Sequence, residues 1–288
     1  MNFWKMNGAG NDFIIINNIE ERLPAGRFPL LAQKLCDRHM SVGADGLMIV
    51  TEAADGGDFK MLFYNADGSP GEMCGNGARC ICRYGYENGL AGESQLIETT
   101  AGPVSGRRLS PRTYRIRLND PAVCRLDEEL TAAGHPCRCS YVELGNPGIP
   151  HCVLEMPGLH ALAPESLKNM ARELRHYSGY HKGANVNFYE LCGADRLCEL
   201  TYERGVEDFT YACGSGTAAV VLVLTLKGLV SGRSVKADMR GGQLTIDIAK
   251  DAAGRVTDIC LTGPASIAAR GEIPGEELRA YLCEKQRF

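Results

Sequence analysis

The chain has 288 residues, 44% of them hydrophobic and 23% charged, the composition of a globular protein of about two domains. Its net charge of −4, with no long run of one sign, excludes the basic footprint of a nucleic-acid binder. The longest apolar run, Ala218 to Leu226, is shorter than the ~20 residues of a membrane helix, and Met1 to Lys5 lack the basic-then-apolar order of a signal peptide. No membrane partner and a cytoplasmic location are therefore expected.

In chain order, apolar and β-branched runs predict strands at Phe13 to Ile16, Gly46 to Val50, Lys60 to Tyr64 and Tyr114 to Leu118. Further strands are predicted at His151 to Glu155, Val186 to Leu191, Cys198 to Tyr202 and Leu244 to Ile248. Surface helices are predicted at Pro29 to Arg38 and at Pro164 to Tyr177, the second opening on a proline. Two more helices follow glycine-rich turns, at Ala78 to Glu87 and at Thr217 to Lys227. The last is apolar nearly all round and so is expected to be buried. The fold class expected is α/β (α+β), strand-rich, with a buried helix in each half.

Thirteen cysteines are many for such a chain, but the count is odd, which favours reduced thiols that mostly pack as small hydrophobes. Two stand apart. Met73-Cys74-Gly75-Asn76-Gly77 and Ala212-Cys213-Gly214-Ser215-Gly216 share a Cys-Gly-x-Gly core 139 residues apart, close to half the chain. The flanks repeat as well. Gly43-Ala44-Asp45-Gly46 begins 31 residues before Cys74, and Gly183-Ala184-Asn185-Val186 begins 30 before Cys213. Asn11 lies 63 residues before the first cysteine and Asn146 lies 67 before the second. The polar segments at Asn65 and at Glu203-Arg204 precede their cysteines by nine and ten residues, and Gly102 and Gly241 each follow by 28. This order predicts a duplicated half: an N-terminal lobe over 1–119, a C-terminal lobe over 120–263, and a segment 264–288 without counterpart that packs back on the first lobe.

A Cys-Gly-x-Gly turn into a helix puts the thiol at the helix N-terminus, where the partial positive charge is expected to lower its pKa. The glycines leave backbone N–H groups free to nest an anion. Two such sites suit proton transfer at the α-carbon of an amino acid, one thiolate removing the proton and one thiol supplying it on the opposite face. Helix-end amides around the carboxylate would stabilise the carbanion without a pyridoxal cofactor. No Cys-x-x-Cys occurs, which disfavours a thiol–disulfide oxidoreductase, and Cys80-x-Cys82 and Cys137-x-Cys139 lack a nearby Cys/His pair, so neither metal nor cofactor is expected.

These motifs, together with Phe3-Trp4-Lys5-Met6-Asn7-Gly8-Ala9-Gly10-Asn11-Asp12-Phe13, resemble the diaminopimelate epimerase family of cofactor-independent amino-acid racemases through most of the chain. The resemblance implies two pseudo-symmetric lobes, each a strand-rich half-barrel wrapped around a central helix, with the substrate in the cleft between them. It makes Cys74 and Cys213 the acid/base pair and has Gly75, Asn76, Gly214 and Ser215 bind the reacting carboxylate. Asn11, Asn65, Asn146, Asn185, Glu203 and Arg204 match positions that hold the substrate, several of them at its distal amino-acid end. The activity implied is interconversion of LL- and meso-diaminopimelate, a step toward lysine and cell-wall precursors. The family also allows a homodimer, which no residue here indicates.

The chain departs from the family pattern in two places. The Gly-Asn-Pro-His run is stretched to Gly145-Asn146-Pro147-Gly148-Ile149-Pro150-His151, which leaves His151 as either a support behind the site or a surface histidine. Phe209 stands where an acidic residue is usual, either as core packing or as a changed pocket preference. The rival readings are a racemase of another amino acid such as histidine, and a non-enzymatic anion-binding or redox-sensing protein cycling a Cys74–Cys213 disulfide.

Overall fold

The computed structural model describes residues 1–71, 74–146 and 148–283. Met73 and Pro147 of the motifs above, and the last five residues of the C-terminal segment, lie outside them. The chain divides into two compact units, Met1–Ile116 with the segment from Pro264 onward, and Arg117–Gly263. No helix among the described residues is long and apolar enough to cross a membrane.

The first unit contains β1 (Asn2–Gly8), β2 (Asn11–Asn17), α1 (Asn18–Glu21), α2 (Phe28–Cys36), β3 (Gly46–Thr51), β4 (Phe59–Asn65), β5 (Pro70–Gly71), α3 (Gly75–Glu87), β6 (Ser94–Glu98), β7 (Val104–Ser110) and β8 (Thr113–Leu118). β2 and β3 pair in parallel, Phe13 opposite Gly46, and both read as unbroken apolar runs because both of their faces are covered. The crossover between them is α2. Its Phe28, Leu31, Ala32 and Leu35 recur at helical spacing and are buried.

The second unit contains β9 (Pro121–Ala132), β10 (His135–Leu144), β11 (Ile149–Glu155), α4 (Pro164–Arg175), β12 (Asn185–Gly193), β13 (Arg196–Glu203), β14 (Asp208–Phe209), α5 (Gly214–Leu226), β15 (Val235–Met239), β16 (Gly242–Lys250) and β17 (Val256–Pro264). Here β11 and β12 form the parallel pair, and α4 makes the crossover, burying Leu167, Ala171 and Leu174. After β17 the chain adds β18 (Ser266–Glu272) and α6 (Gly275–Cys283), with β18 antiparallel to β1.

The two units have the same ladder. The first runs β18-β1-β2-β3-β4-β6-β7-β8, with β5 as a two-residue addition to β4. The second runs β9-β10-β11-β12-β13-β15-β16-β17, with β14 added to β13. In both, the successive pairs are antiparallel, antiparallel, parallel, antiparallel, parallel, antiparallel, antiparallel. The expectation that residues after Gly263 have no counterpart is corrected by this order: β18 holds in the first unit the place that β9 holds in the second. A central helix completes each unit. Every residue of α5 from Gly216 to Thr225 is buried, as is α3 from Gly75 to Cys82, and both helices have a cysteine as N-cap.

Candidate active site

Cys74 is in extended conformation (φ −127°, ψ 119°) and α3 begins at the next residue. The Cys74 side chain does not cap this end of the helix. Its Sγ lies 3.3 Å from Oδ1 of Asn11. Asn11 is placed by a two-residue turn between β1 and β2, in which Ala9 and Gly10 both have positive φ (57° and 86°), as a type I′ hairpin requires. The amide is pinned at its other end, where Nδ2 donates to Oδ2 of Asp45 at 2.6 Å. Asp45 also receives the Asp12 backbone N–H and the Arg38 guanidinium, which forks onto Asp12 as well.

Two other residues of the first unit are placed differently from each other. Asn65 is exposed at the end of β4, and its amide donates to Ser69. Asn76 is buried, and its Oδ1 accepts from Nη2 of Arg79 at 3.0 Å. Arg79, fully buried, also donates to the carbonyls of Gly75 and Pro264, and burial lowers its pKa to about 10.

In the second unit Cys213 caps α5 in the same extended conformation (φ −121°, ψ 103°), with Sγ 3.6 Å from Oγ of Ser215. The expected lowering of the thiol pKa is corrected here. Burial pushes the Cys213 thiol well above its ordinary value, the nearby Glu203 charge adds to this, and the contacts with Ser215 and the Gly216 N–H offset only part of it. Glu203 ends β13 and accepts from the Thr210 hydroxyl at 2.6 Å. Arg204 is exposed, and its Nη1 reaches the Lys182 carbonyl. Asn185 uses both ends of its amide inside the unit: Oδ1 accepts from the Arg204 N–H at 2.8 Å and Nδ2 faces the Pro150 carbonyl. It shapes the Glu203–Arg204 turn instead of presenting a free amide. Asn146 is exposed in the turn after β10.

The two departures resolve in the structure. His151 is fully buried on β11, not at the surface; its Nδ1 lies 3.3 Å from Nδ2 of Asn187, and burial together with the Arg204 charge pushes its pKa down to about 3. Phe209 packs edge-on to Tyr202, with centroids 5.4 Å apart, and beside Phe188, which is the core-packing reading.

A group the sequence reading missed lies under the start of α5. Asn187 Nδ2 donates to the Cys152 carbonyl, Thr201 Oγ1 stands 3.1 Å from Asn187 Oδ1 and 3.2 Å from Glu199 Oε1, and Thr217 Oγ1 donates to the Cys213 carbonyl at 3.0 Å. All four side chains are buried. The close approach of helix and sheet depends on Gly216, where a Cβ would overlap Asn187 Oδ1. The signal was available in Asn185-x-Asn187 and Glu199-x-Thr201-x-Glu203, which alternate along strands and so share a face.

This architecture is shared with solved chains of very different sequence. A hydroxyproline epimerase from Agrobacterium vitis, solved with bound trans-4-hydroxy-L-proline, matches with a TM-score of 0.70 at 15% identity, over 94% of this chain and 91% of that one. A PhzF-family phenazine biosynthesis protein from Bacillus anthracis matches with a TM-score of 0.72 at 14% identity, over 95% of this chain and 99% of that one. Sequence narrows the class. The diaminopimelate epimerase family model matches residues 3–107 and 144–268. The diaminopimelate epimerase of Aquifex aeolicus is 34% identical, over 96% of this chain and 99% of its own. That of Methanothrix thermoacetophila is also 34% identical, over 97% and 98%. The chain belongs to the diaminopimelate epimerase family.

Proposed function

We propose that the protein is a pyridoxal-independent epimerase that interconverts LL- and meso-diaminopimelate, with Cys74 and Cys213 as its acid/base pair. The observation that carries this reading is that the two cysteines are the N-caps of equivalent central helices in two units of the same ladder. A thiolate takes the Cα proton as the C–H bond breaks, the electron pair passes onto the carbon and its carboxylate, and the other thiol protonates the opposite face. One thiol and one thiolate remain, with their roles exchanged.

The backbone N–H groups at Gly75, Asn76, Gly214 and Ser215, at the two helix starts, stabilise the charge that develops on the carboxylate. Arg204 is suited to a distal carboxylate and Glu203 to a distal ammonium. Asn11, Asn65 and Asn146 supply polar groups, and Asn185 holds the turn that carries Glu203 and Arg204. Phe209 has its ring in the core, which leaves Glu203 and Arg204 as the groups that select the distal end.

Incubation with LL-diaminopimelate in deuterated water tests the reading. Deuterium should enter at Cα, and neither Cys74→Ser nor Cys213→Ser should exchange. Equal exchange by the serine variants would remove the two-cysteine mechanism. Exchange on histidine or another monocarboxylic amino acid, but not on diaminopimelate, would move the activity to a different racemase.

A further inference from the structure

The two units share a ladder but not the interior beneath their cysteines. Gly77 and Gly216 are equivalent, each three residues after its cysteine, and so are Met48 and Asn187, the side chains that a Cβ at those glycines would strike. The registers extend the match. Asn187 pairs with Thr201 as Met48 pairs with Phe63, and His151 pairs with Asn185 as Phe13 pairs with Gly46. The apolar set Phe13, Met48, Met61, Phe63 and Ala78 beneath α3 is thus replaced beneath α5 by His151, Asn187, Glu199, Thr201 and Thr217. Five apolar positions have become a buried polar chain containing one carboxyl.

The hydrogen inventory of this chain fixes the state of that carboxyl. Asn187 Nδ2 faces the carbonyls of Cys152 and Asn185, so its Oδ1 faces Thr201 and needs a donor. The single hydroxyl hydrogen of Thr201 goes there, and that of Thr217 goes to the Cys213 carbonyl. Both hydroxyls therefore turn lone pairs, not hydrogens, toward Glu199. A carboxylate would face them unsatisfied; a carboxylic acid can donate to Thr201. Among the described residues no cation is paired with Glu199.

We propose that Glu199 is a positioning residue acting on Cys213 through the start of α5: it stands there as a neutral acid, and Cys213 gives up its proton only while Glu199 keeps its own. The proposal rests on Cys213 being one of the acid/base pair. Burial raises the Glu199 carboxyl to about 7, and its charge in turn raises the Cys213 thiol. The other titratable groups on its face are Glu203 along β13, Tyr189 opposite it on β12, His151 and Glu155 on β11, and Cys213 itself. Lys236 and Asp238 of β15 lie on the other face, beside Arg196 and Cys198. The first unit has Met61 at the equivalent position, so Cys74 carries no such coupling.

The test is the rate of iodoacetamide alkylation of Cys213 against pH, read by peptide mass spectrometry with Cys74 in the same molecule as the reference. Glu199→Gln keeps the donor to Thr201, and Glu199→Met copies the first unit. Both remove the charge. At pH 8.5, Cys213 in both variants should alkylate several-fold faster than in the wild type, with Cys74 unchanged and melting temperatures confirming folding. If Cys213 stays within twofold of wild type in both, or if only the Met variant changes, the coupling is absent and Glu199 is structural. The assay needs no substrate. A failed exchange experiment with diaminopimelate and a failed alkylation contrast are therefore separate results.

Discussion

The Sγ of Cys74 and the Oδ1 of Asn11 stand 3.3 Å apart, and the direction of that contact is set by a third residue. Because Asp45 accepts from Asn11 Nδ2, the amide can offer the sulfur only its oxygen, which accepts from S–H and disfavours S⁻. Asp45→Ala frees the amide to turn its N–H₂ toward the sulfur. Cys74 alkylation should then rise several-fold at fixed pH while Cys213 stays unchanged, and kcat should fall about tenfold, the equivalent of one lost charge-assisted hydrogen bond. Peptide-resolved alkylation and steady-state kinetics check both. An unchanged Cys74 rate removes the orienting role of Asp45.

Arg204 is anchored through its backbone, by the N–H to Asn185, while among the described residues its exposed guanidinium donates only to the Lys182 carbonyl. It therefore holds little of the fold together, and Arg204→Ala should leave the melting temperature within about 1–2 °C of wild type. The loss should appear in substrate binding. A charge-assisted fork is worth about 1.5–3 kcal/mol, so KM for diaminopimelate should rise roughly 10- to 100-fold. Arg204→Lys should recover only part of this, since an ammonium cannot fork. Unchanged KM would mean that the distal carboxylate binds elsewhere.

The two cysteines at the helix starts were more legible in the sequence than the frame around them. Cys74, Cys213 and the helices behind them were legible because glycine-rich turns into apolar helices are local signals. So were β2, β3, β11 and β12, whose apolar runs reflect burial on both faces. β9 and β18 were not. Arg125-Leu126-Asp127-Glu128-Glu129 and Ala268-Ala269-Arg270 are largely exposed strand segments held by backbone pairing, so no alternation marks them. The equivalence of β9 and β18 was hidden for a further reason, because one precedes its unit in the chain and the other follows. The lowered thiol pKa failed at Cys213 because helix position is visible in sequence, whereas the depth of burial and the Glu203 charge are set by tertiary packing.

The contrast between the two interiors predicts unequal costs for the same substitution. At Gly216 a Cβ overlaps the amide oxygen of Asn187, which is fixed by its hydrogen bonds, while at Gly77 it meets the flexible end of Met48. Alanine also gains up to about 1 kcal/mol of helix propensity over glycine at either place. Gly77→Ala is therefore expected to be close to neutral, and Gly216→Ala to cost about 1–3 kcal/mol of stability through overpacking. Urea unfolding of the two variants measures the difference. Equal midpoints would show that the polar chain yields as easily as a methionine.

His151 and Glu199, two ionisable members of that chain, bend the pH dependence of stability in opposite directions. His151 falls from an unfolded value of 6.5 to about 3 in the fold. Below pH 6.5 the unfolded chain binds a proton that the native state refuses, so stability drops as pH falls from 6.5 toward 3, by on the order of 5 kcal/mol in total. Glu199 rises from 4.5 to about 7. Between those values the native state holds a proton that the unfolded chain has released, so stability drops as pH rises from 4.5 to 7. The two slopes cancel between about pH 4.5 and 6.5, and the other carboxylates form a background common to all variants. His151→Phe, which copies Phe13 of the first unit, should remove the acid-side loss and leave stability falling from pH 4.5 to 7 relative to wild type. Glu199→Gln should do the reverse, leaving stability rising with pH up to 6.5. Chemical denaturation of the three proteins at half-unit pH intervals separates these curves; parallel curves for wild type and either variant would show that the missing group titrates alike in the folded and unfolded chain.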